Sequence, residues 1–196
     1  MTVWNCPFLA AKPPQRPWLS IAKTWHGEEL RPSVRFLFWL DAKALHFSCA
    51  RDAAAKIHPQ AEMGKFLPEL WRYDVGEFFL AAADGSYLEV NLAPNGAWWL
   101  AFFDQKRQIS EKKFPLNGVA TQAEIRQDSW KASIAIPRSD LAIFFPDLAD
   151  LRLNAAFILQ SPDQIFVSAC PLESAAPDFH LPKQFPKIKL VNLPTD

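Results

Sequence analysis

Seventeen prolines are scattered through the 196 residues of this chain, and their positions leave little room for long helices. Proline lacks a backbone N–H and clashes with the preceding helical turn, so it favours turns and the edges of sheets. We therefore expect mostly short strands joined by turns. Such a pattern predicts an all-β fold, namely an antiparallel two-sheet β-sandwich of the jelly-roll or immunoglobulin-like kind.

Segments with strand-like composition recur along the chain, with turn residues between them. Several alternate apolar and polar residues, as in a strand that buries one face. The predicted strands lie at 18–25, 34–40, 45–51, 75–82, 87–93, 97–104, 122–127, 129–136, 151–160, 165–170 and 188–191. Helical turns are predicted at 53–57 and 138–144. Trp98 and Trp99 are adjacent on one strand and point to opposite faces, so one should enter the core.

The pair Asp84-Gly85 is the strongest short hairpin signal in the chain. A two-residue loop at this pair would place Glu77 beside apolar side chains such as Leu88. Burying an unpaired carboxylate there costs several kcal/mol. A loop of odd length centred on Asp84 instead pairs Glu77 with Asn91, and we predict this second register.

The predicted register places several polar side chains on one face of the hairpin. Glu77, Glu89 and Asn91 then share a face with Phe79. A polar cluster on an otherwise apolar sheet is typical of a concave surface that faces a ligand. A solvated outer face is the alternative interpretation.

Charge and composition restrict the partners of the chain. Lys and Arg number 21 and Asp and Glu number 21, so a nucleic-acid partner is not expected. Cys6, Cys49 and Cys170 are widely spaced and are expected to be free thiols rather than zinc ligands. No apolar stretch approaches the roughly 20 residues of a membrane helix, and no signal peptide is visible. We expect one domain over residues 1–196, located in the cytoplasm and not bound to a membrane.

Three stretches carry a resemblance to a known family. Residues 70–99 contain a Trp, an Asp and the pattern V-x-E-x-F-L, followed by Y-x-E-x-N and a P-x-G turn. Residues 130–141 read WKASIAIPRSDL, and residues 151–190 include LRLNAAFIL and PDFHLPKQFPKIKL. Together these stretches resemble the carbohydrate-binding family 9-like group of the DOMON-like β-sandwiches, over about residues 18–191.

The resemblance implies a sandwich fold and sugar binding between two aromatic rings. By position, Trp71 would form one aromatic wall, and Phe179 would form the second wall in place of a Trp. Glu77 would accept hydrogen bonds from sugar hydroxyl groups. Glu89 stands where sugar-binding members carry a basic residue, so the ligand differs or the sugar function is lost.

These residues together define a predicted binding site in a non-catalytic module. Its ligand is expected to be a saccharide or a related polyhydroxylated small molecule. For His180, binding the ligand, pairing with Asp178 and capping the sandwich remain open, and for Arg72 a solvated salt bridge is the default. The predicted ligand-binding residues are Trp71, Arg72, Glu77, Glu89, Asn91, Asp178, Phe179 and His180.

Other functions remain open at this stage. Glu77 and Glu89 could act on a glycosidic bond, because glycosidases use two carboxyl groups. No cofactor is expected, although Glu77, Glu89, Asp74 or Asp178 could hold calcium. Haem is disfavoured because Met63 is the only internal methionine and lies in a predicted loop. A structural or partner-binding domain is the third possibility, and the oligomeric state is undetermined.

Overall fold

The computed structural model describes residues 4–8, 18–148 and 150–192, except for the side chains of residues 4–8 and 189–192. In these ranges thirteen strands form two sheets. The elements are β1 (Trp4–Phe8), β2 (Leu19–Lys23), β3 (Glu29–Leu40), β4 (Ala44–Arg51), β5 (Val75–Ala81), β6 (Tyr87–Leu92), β7 (Trp98–Gln105), β8 (Gln108–Ile109), β9 (Ala120–Ile125), β10 (Trp130–Pro137), α1 (Arg138–Phe144), β11 (Arg152–Leu159), β12 (Ile165–Ser168) and β13 (Ile188–Asn192).

The two sheets pack face to face as a sandwich. The seven-stranded sheet has the order β13-β1-β3-β4-β10-β9, with β2 beside β3, and the six-stranded sheet has the order β12-β11-β5-β6-β7-β8. Neighbouring strands are antiparallel, except that β1 runs parallel to β13 and β3. The prediction of an all-β sandwich is confirmed.

The core between the sheets is dominated by aromatic rings. The Phe38 ring lies 4.8 Å from the ring of Phe47 in the same seven-stranded sheet, measured between ring centroids. It lies 5.5 Å from the ring of Phe78, which belongs to the six-stranded sheet. Trp98 points into this core and Trp99 points to the opposite face. At Gly76 the sheets approach so closely that a Cβ atom would lie 2.8 Å from Cys49 Sγ. Such tight packing holds β5 in a fixed position between its neighbours.

The outer face of the six-stranded sheet is also buried, because loops cover it. Phe79, Tyr87 and Phe103 project from the sheet into a second apolar cluster. The loops contribute Leu70 and Phe185 to this cluster, among other residues. Every residue of β5 and β6 is therefore buried. Polar side chains on this face lie inside the protein and not on a solvated surface.

The hairpin register agrees with the sequence prediction. Glu77 lies opposite Asn91, and Phe79 lies opposite Glu89. The helix predicted at 138–144 is α1 (Arg138–Phe144). The turn signal at Asp84 and the polarity of Glu77 were sufficient to predict the hairpin register, because both features act over short sequence distances.

The helical turn predicted at 53–57 is wrong, since this segment has no helix. The backbone N–H of Lys56 donates to the Asp74 carboxylate at 3.1 Å, and its carbonyl accepts the N–H of Asp74. These long-range bonds replace the local bonds of a helix.

The structure describes the side chains of two of the three cysteines. Cys49 and Cys170 are buried and free, whereas the side chain of Cys6 lies outside the described residues. None of the helices in the described ranges is long and apolar enough to span a membrane.

Candidate functional site

A cavity of about 310 Å³ opens at the outer face of the six-stranded sheet. The sheet forms its floor, and the loop before β13 and the turn between β7 and β8 form its sides. Six residues predicted from the sequence line the cavity, although they come from three separate stretches of chain. They are Trp71, Glu77, Glu89, Asp178, Phe179 and His180.

Glu77 and Glu89 lie on adjacent strands and form the polar part of the cavity floor. Their exposed fractions are 2% and 5%. Asn91 Nδ2 donates a hydrogen bond of 2.9 Å to Glu89 Oε1. By contrast, no described residue donates a hydrogen bond to the Glu77 carboxyl group. Glu77 thus faces the cavity with a carboxyl group that no described residue engages, and a ligand can reach it there.

Burial decides the protonation of the two acids. Burial, and then the nearby Glu89, raise the pKa of Glu77 well above its ordinary value. Burial raises the pKa of Glu89 to about 7, although Asn91 and Arg107 act in the opposite direction. Burial therefore favours the protonated form of the pair, because two neighbouring carboxylates cannot easily ionise together in a buried site.

His180 lies beside the acids and is held by Tyr87. The Tyr87 oxygen accepts the backbone N–H of Arg107 at 3.0 Å and lies 2.7 Å from His180 Nδ1. Burial, and then Arg107, lower the pKa of His180 to about 4, so the ring is neutral at pH 7. If the phenol donates to Nδ1, the ring proton sits on Nε2, which lies 3.8 Å from Glu89 Oε2.

Asp178 organises the rim of the cavity. Its carboxylate pairs with Lys106 Nζ at 2.7 Å and with the Arg107 guanidinium at 3.0 Å, and it accepts the N–H of His180. Burial acts to raise the pKa of Asp178, but these bonds lower it below its ordinary value. Asp178 is therefore ionised and offsets the charge of the two basic side chains.

Aromatic rings form the walls. The Trp71 ring meets the Trp99 ring edge to face at 5.3 Å and keeps 36% of its surface exposed. Phe179 is buried and packs against Phe79 at 6.2 Å and Trp25 at 5.8 Å. Trp71 thus offers an accessible ring, whereas Phe179 contributes an edge of the packed cluster.

A short 3-10 helix (Leu70–Arg72) places Trp71 at the cavity mouth. Leu70 is buried and anchors this turn, and the Trp71 carbonyl accepts Gln164 Nε2 at 2.8 Å. Arg72 lies outside the cavity, contrary to the prediction. Its exposed guanidinium pairs with Glu69 at 3.2 Å, because consecutive side chains of this turn point in different directions.

Asn91 and Asp74 do not line the cavity. Asn91 is buried behind Glu89, and its Oδ1 has no partner among the described residues. Asp74 accepts the backbone N–H groups of Lys56 and Ser161 elsewhere in the fold. The four acids considered for calcium therefore do not form one group. Where side chains are described, no three His, Cys, Asp or Glu residues are arranged to hold a metal ion.

Sequence reasoning missed Arg107, which also lines the cavity. Arg107 lies in the turn between β7 and β8 with a φ of 59°, an uncommon conformation for a residue other than glycine. A Lys-Arg pair in a polar turn is typical of a solvated loop. Arg107 is held at the site by its contact with Asp178, which is 71 positions away, and by the bond from its backbone N–H to Tyr87.

Two other clefts are larger than this cavity. A cleft of about 640 Å³ lies on the outer face of the seven-stranded sheet. There the His46 ring stacks on Trp39 at 4.4 Å and lies 2.8 Å from Asp41. Another, of about 560 Å³, lies between the Asp84 turn and residues 180–184. The smaller cavity is the candidate site because it contains Glu77, the buried acid that no described residue engages.

The fold is that of the carbohydrate-binding module family 9 sandwiches. A family 9 module from Caldicellulosiruptor kristjanssonii in complex with cellotriose superposes with a TM-score of 0.63 at 10% identity, over 97% of this chain and 95% of that chain. A protein from Bacteroides uniformis, provisionally described as carbohydrate-binding, gives a TM-score of 0.65 at 17% identity, over 89% and 85%. At these identities the similarity concerns the fold. The DOMON-like part of the resemblance stays a prediction.

The chain belongs to the UPF0462 family. It is 30% identical to the human UPF0462 protein C4orf33 over 181 residues, which cover 84% of each chain. The mouse homolog is 31% identical over 130 residues, which cover 62% of this chain and 64% of the mouse protein. For the mouse and rat proteins the match thus spans less than two thirds of their length. No family model matches the chain.

Proposed function

We propose that this chain is a non-catalytic module that binds a saccharide, or a related polyhydroxylated molecule, in the cavity between Trp71 and Glu77. The observation that carries the proposal is the buried Glu77 carboxyl group, which faces the cavity without a hydrogen-bond partner. A ligand hydroxyl group in the cavity can donate the hydrogen bond that no described residue supplies to Glu77.

The size and chemistry of the cavity support a small polar ligand. About 310 Å³ is at the lower end of the usual range for ligand sites, so one or two sugar rings fit best. The exposed Trp71 ring offers a flat apolar surface for stacking. Glu77 and Glu89 accept hydrogen bonds, and His180 Nε2 and the Arg107 guanidinium donate them.

Solved structures with a similar fold also support a saccharide ligand. Two complexes of the Caldicellulosiruptor family 9 modules hold cellotriose and glucose. They indicate that this sandwich architecture accommodates sugars, and the proposal extends that ability to this chain.

Binding is favoured over hydrolysis by the placement of the two acids. Glycosidases place their two carboxyl groups on either side of the bond to be cleaved. Here Glu77 and Glu89 project from the same face of neighbouring strands, so both lie on the cavity floor. We therefore expect no turnover of a panel of chromogenic glycosides by folded protein.

Calorimetric titration with glucose, cellobiose, cellotriose and a wider panel of monosaccharides tests the proposal. We expect saturable binding of at least one sugar, with 1:1 stoichiometry, that weakens in Glu77→Ala. The exposed residue Glu124 provides the matched control, and Glu124→Ala should bind like the wild type. Absence of binding by the folded wild-type protein to every sugar would overturn the proposal.

A further inference from the structure

The cavity floor carries two buried acids that no basic side chain contacts directly. Glu89 receives one hydrogen bond, from Asn91, and Glu77 receives none from the described residues. His180 Nε2 is 3.8 Å from Glu89, beyond hydrogen-bond distance, and this ring is neutral. Ionising two buried acids on the cavity floor is unfavourable unless a cation binds beside them.

The basic side chains nearest the floor are engaged elsewhere. Lys106 and Arg107 both pair with Asp178, and their side chains are 51% and 58% exposed. Arg107 acts on Glu89 only through its charge, and water weakens that effect. The remaining group that faces Glu89 is the Tyr87 phenol, which is neutral because burial raises its pKa to about 12.

From this arrangement, and resting on the proposed saccharide site, we infer that the preferred ligand carries a protonated amino group, as an amino sugar does, and that this group binds against Glu77 and Glu89. An ammonium group offers three N–H donors and a positive charge, whereas a hydroxyl group offers one donor and no charge. Hydrogen bonds between an ammonium group and a carboxylate are about twice as strong as neutral ones.

The walls of the cavity favour the same ligand class. The rings of Trp71, Trp99 and Phe179 line the cavity that contains the two acids. An aromatic face attracts a cation within about 6 Å of the ring centre, and the attraction grows when the cation is desolvated. Acids at the floor with aromatic rings around them are thus suited to a cation that also has apolar surface.

Proton release is a consequence of this binding mode. In the free protein burial favours the protonated form of both acids, because it raises their pKa. A bound ammonium group stabilises the ionised carboxylates, so the pair should lose protons when the ligand binds. A neutral sugar offers only hydroxyl hydrogen bonds to the carboxylates and should release fewer protons.

The test compares glucose, galactose and mannose with their 2-amino counterparts and with the N-acetylated, uncharged forms. Titrations at pH 7 in phosphate and in MOPS, which differ in ionisation enthalpy and contain no primary amine, measure both affinity and the number of protons released. We expect at least one amino sugar to bind tenfold or more tightly than its parent and its N-acetyl form, with release of protons. Glu77→Gln should abolish this preference, so that amino and parent sugars bind this variant with similar affinity, and Glu124→Gln should retain it.

The possible failures are distinguishable. Equal affinity for amino and parent sugars, or no buffer dependence, overturns the amine inference and leaves the saccharide site standing. If neither series binds to folded protein, both proposals fail.

Discussion

The Tyr87 phenol oxygen lies 2.7 Å from His180 Nδ1 and joins residues that are 93 positions apart in the sequence. The same oxygen accepts the backbone N–H of Arg107. One phenol thus connects β6, the turn after β7 and the loop that carries Phe179. These are three of the elements that enclose the cavity.

Replacing Tyr87 by Phe should destabilise the fold and release the histidine. The change leaves the Arg107 N–H and His180 Nδ1 without their partner, at a cost of about 1–3 kcal/mol. At roughly 2–4 °C per kcal/mol for a chain of this size, the Tm should fall by several degrees. NMR titration should show the pKa of His180 rising from about 4, because Nδ1 becomes free to take a proton.

Tyr73→Phe is the matched control, since Tyr73 and Tyr87 are the two tyrosines of the chain. The Tyr73 ring packs against His58, and this contact does not need the hydroxyl group. An unchanged titration of His180 in Tyr87→Phe would contradict the proposed role of the phenol.

Replacing Trp71 by Ala should remove sugar binding with little effect on stability. Trp71 is exposed at the cavity mouth, and truncating an aromatic residue that anchors a ligand typically costs 2 kcal/mol or more. We expect affinity to fall at least tenfold in calorimetric titration and the Tm to change by no more than a few degrees. Trp18 lies beside the seven-stranded sheet, so Trp18→Ala should bind like the wild type. A Tm loss of many degrees in Trp71→Ala would show that Trp71 belongs to the core.

Replacing Glu89 by Gln should change the pH dependence of stability. The folded pKa of Glu89, about 7, lies above its ordinary value of 4.5. The unfolded chain therefore loses the proton first as pH rises, so Glu89 reduces stability progressively between about pH 4.5 and 7. The Tm of Glu89→Gln minus that of the wild type should increase by about 5 °C or more over this range and then level off. His180 is retained in both proteins, so its opposite contribution largely cancels. A difference that stays constant from pH 5 to 8.5 in thermal unfolding would rule out a raised pKa.

Replacing Gly76 by Ala should strain the core beside the site. The new Cβ would lie 2.8 Å from Cys49 Sγ and 3.2 Å from the Phe157 ring. Overpacking of this kind costs about 1–3 kcal/mol, which corresponds to a Tm loss of several degrees. Adding Cys49→Ala removes the sulfur, so the double variant should lose less stability than the sum of the single variants. Additive losses in chemical unfolding would mean that the strain does not arise at Cys49.

Local features of the sequence were sufficient to predict most strands, α1 and the register of the central hairpin. Turn residues and alternating polarity act over a few positions, so the pairing of Glu77 with Asn91 could be inferred without the fold. The same reasoning failed at 53–57, where Asp74 binds the backbone from a distance.

Only the tertiary structure decided what covers the outer face of the hairpin. The polar pattern of Glu77 and Glu89 left a solvated face and a ligand-facing surface equally open. The loop containing Phe179 covers this face and encloses a cavity above the two acids. Arg107 and Tyr87 reach His180 and Asp178 across at least 70 positions. Such contacts depend on how distant loops pack onto the sheet, and local propensity and strand periodicity carry no information about that packing.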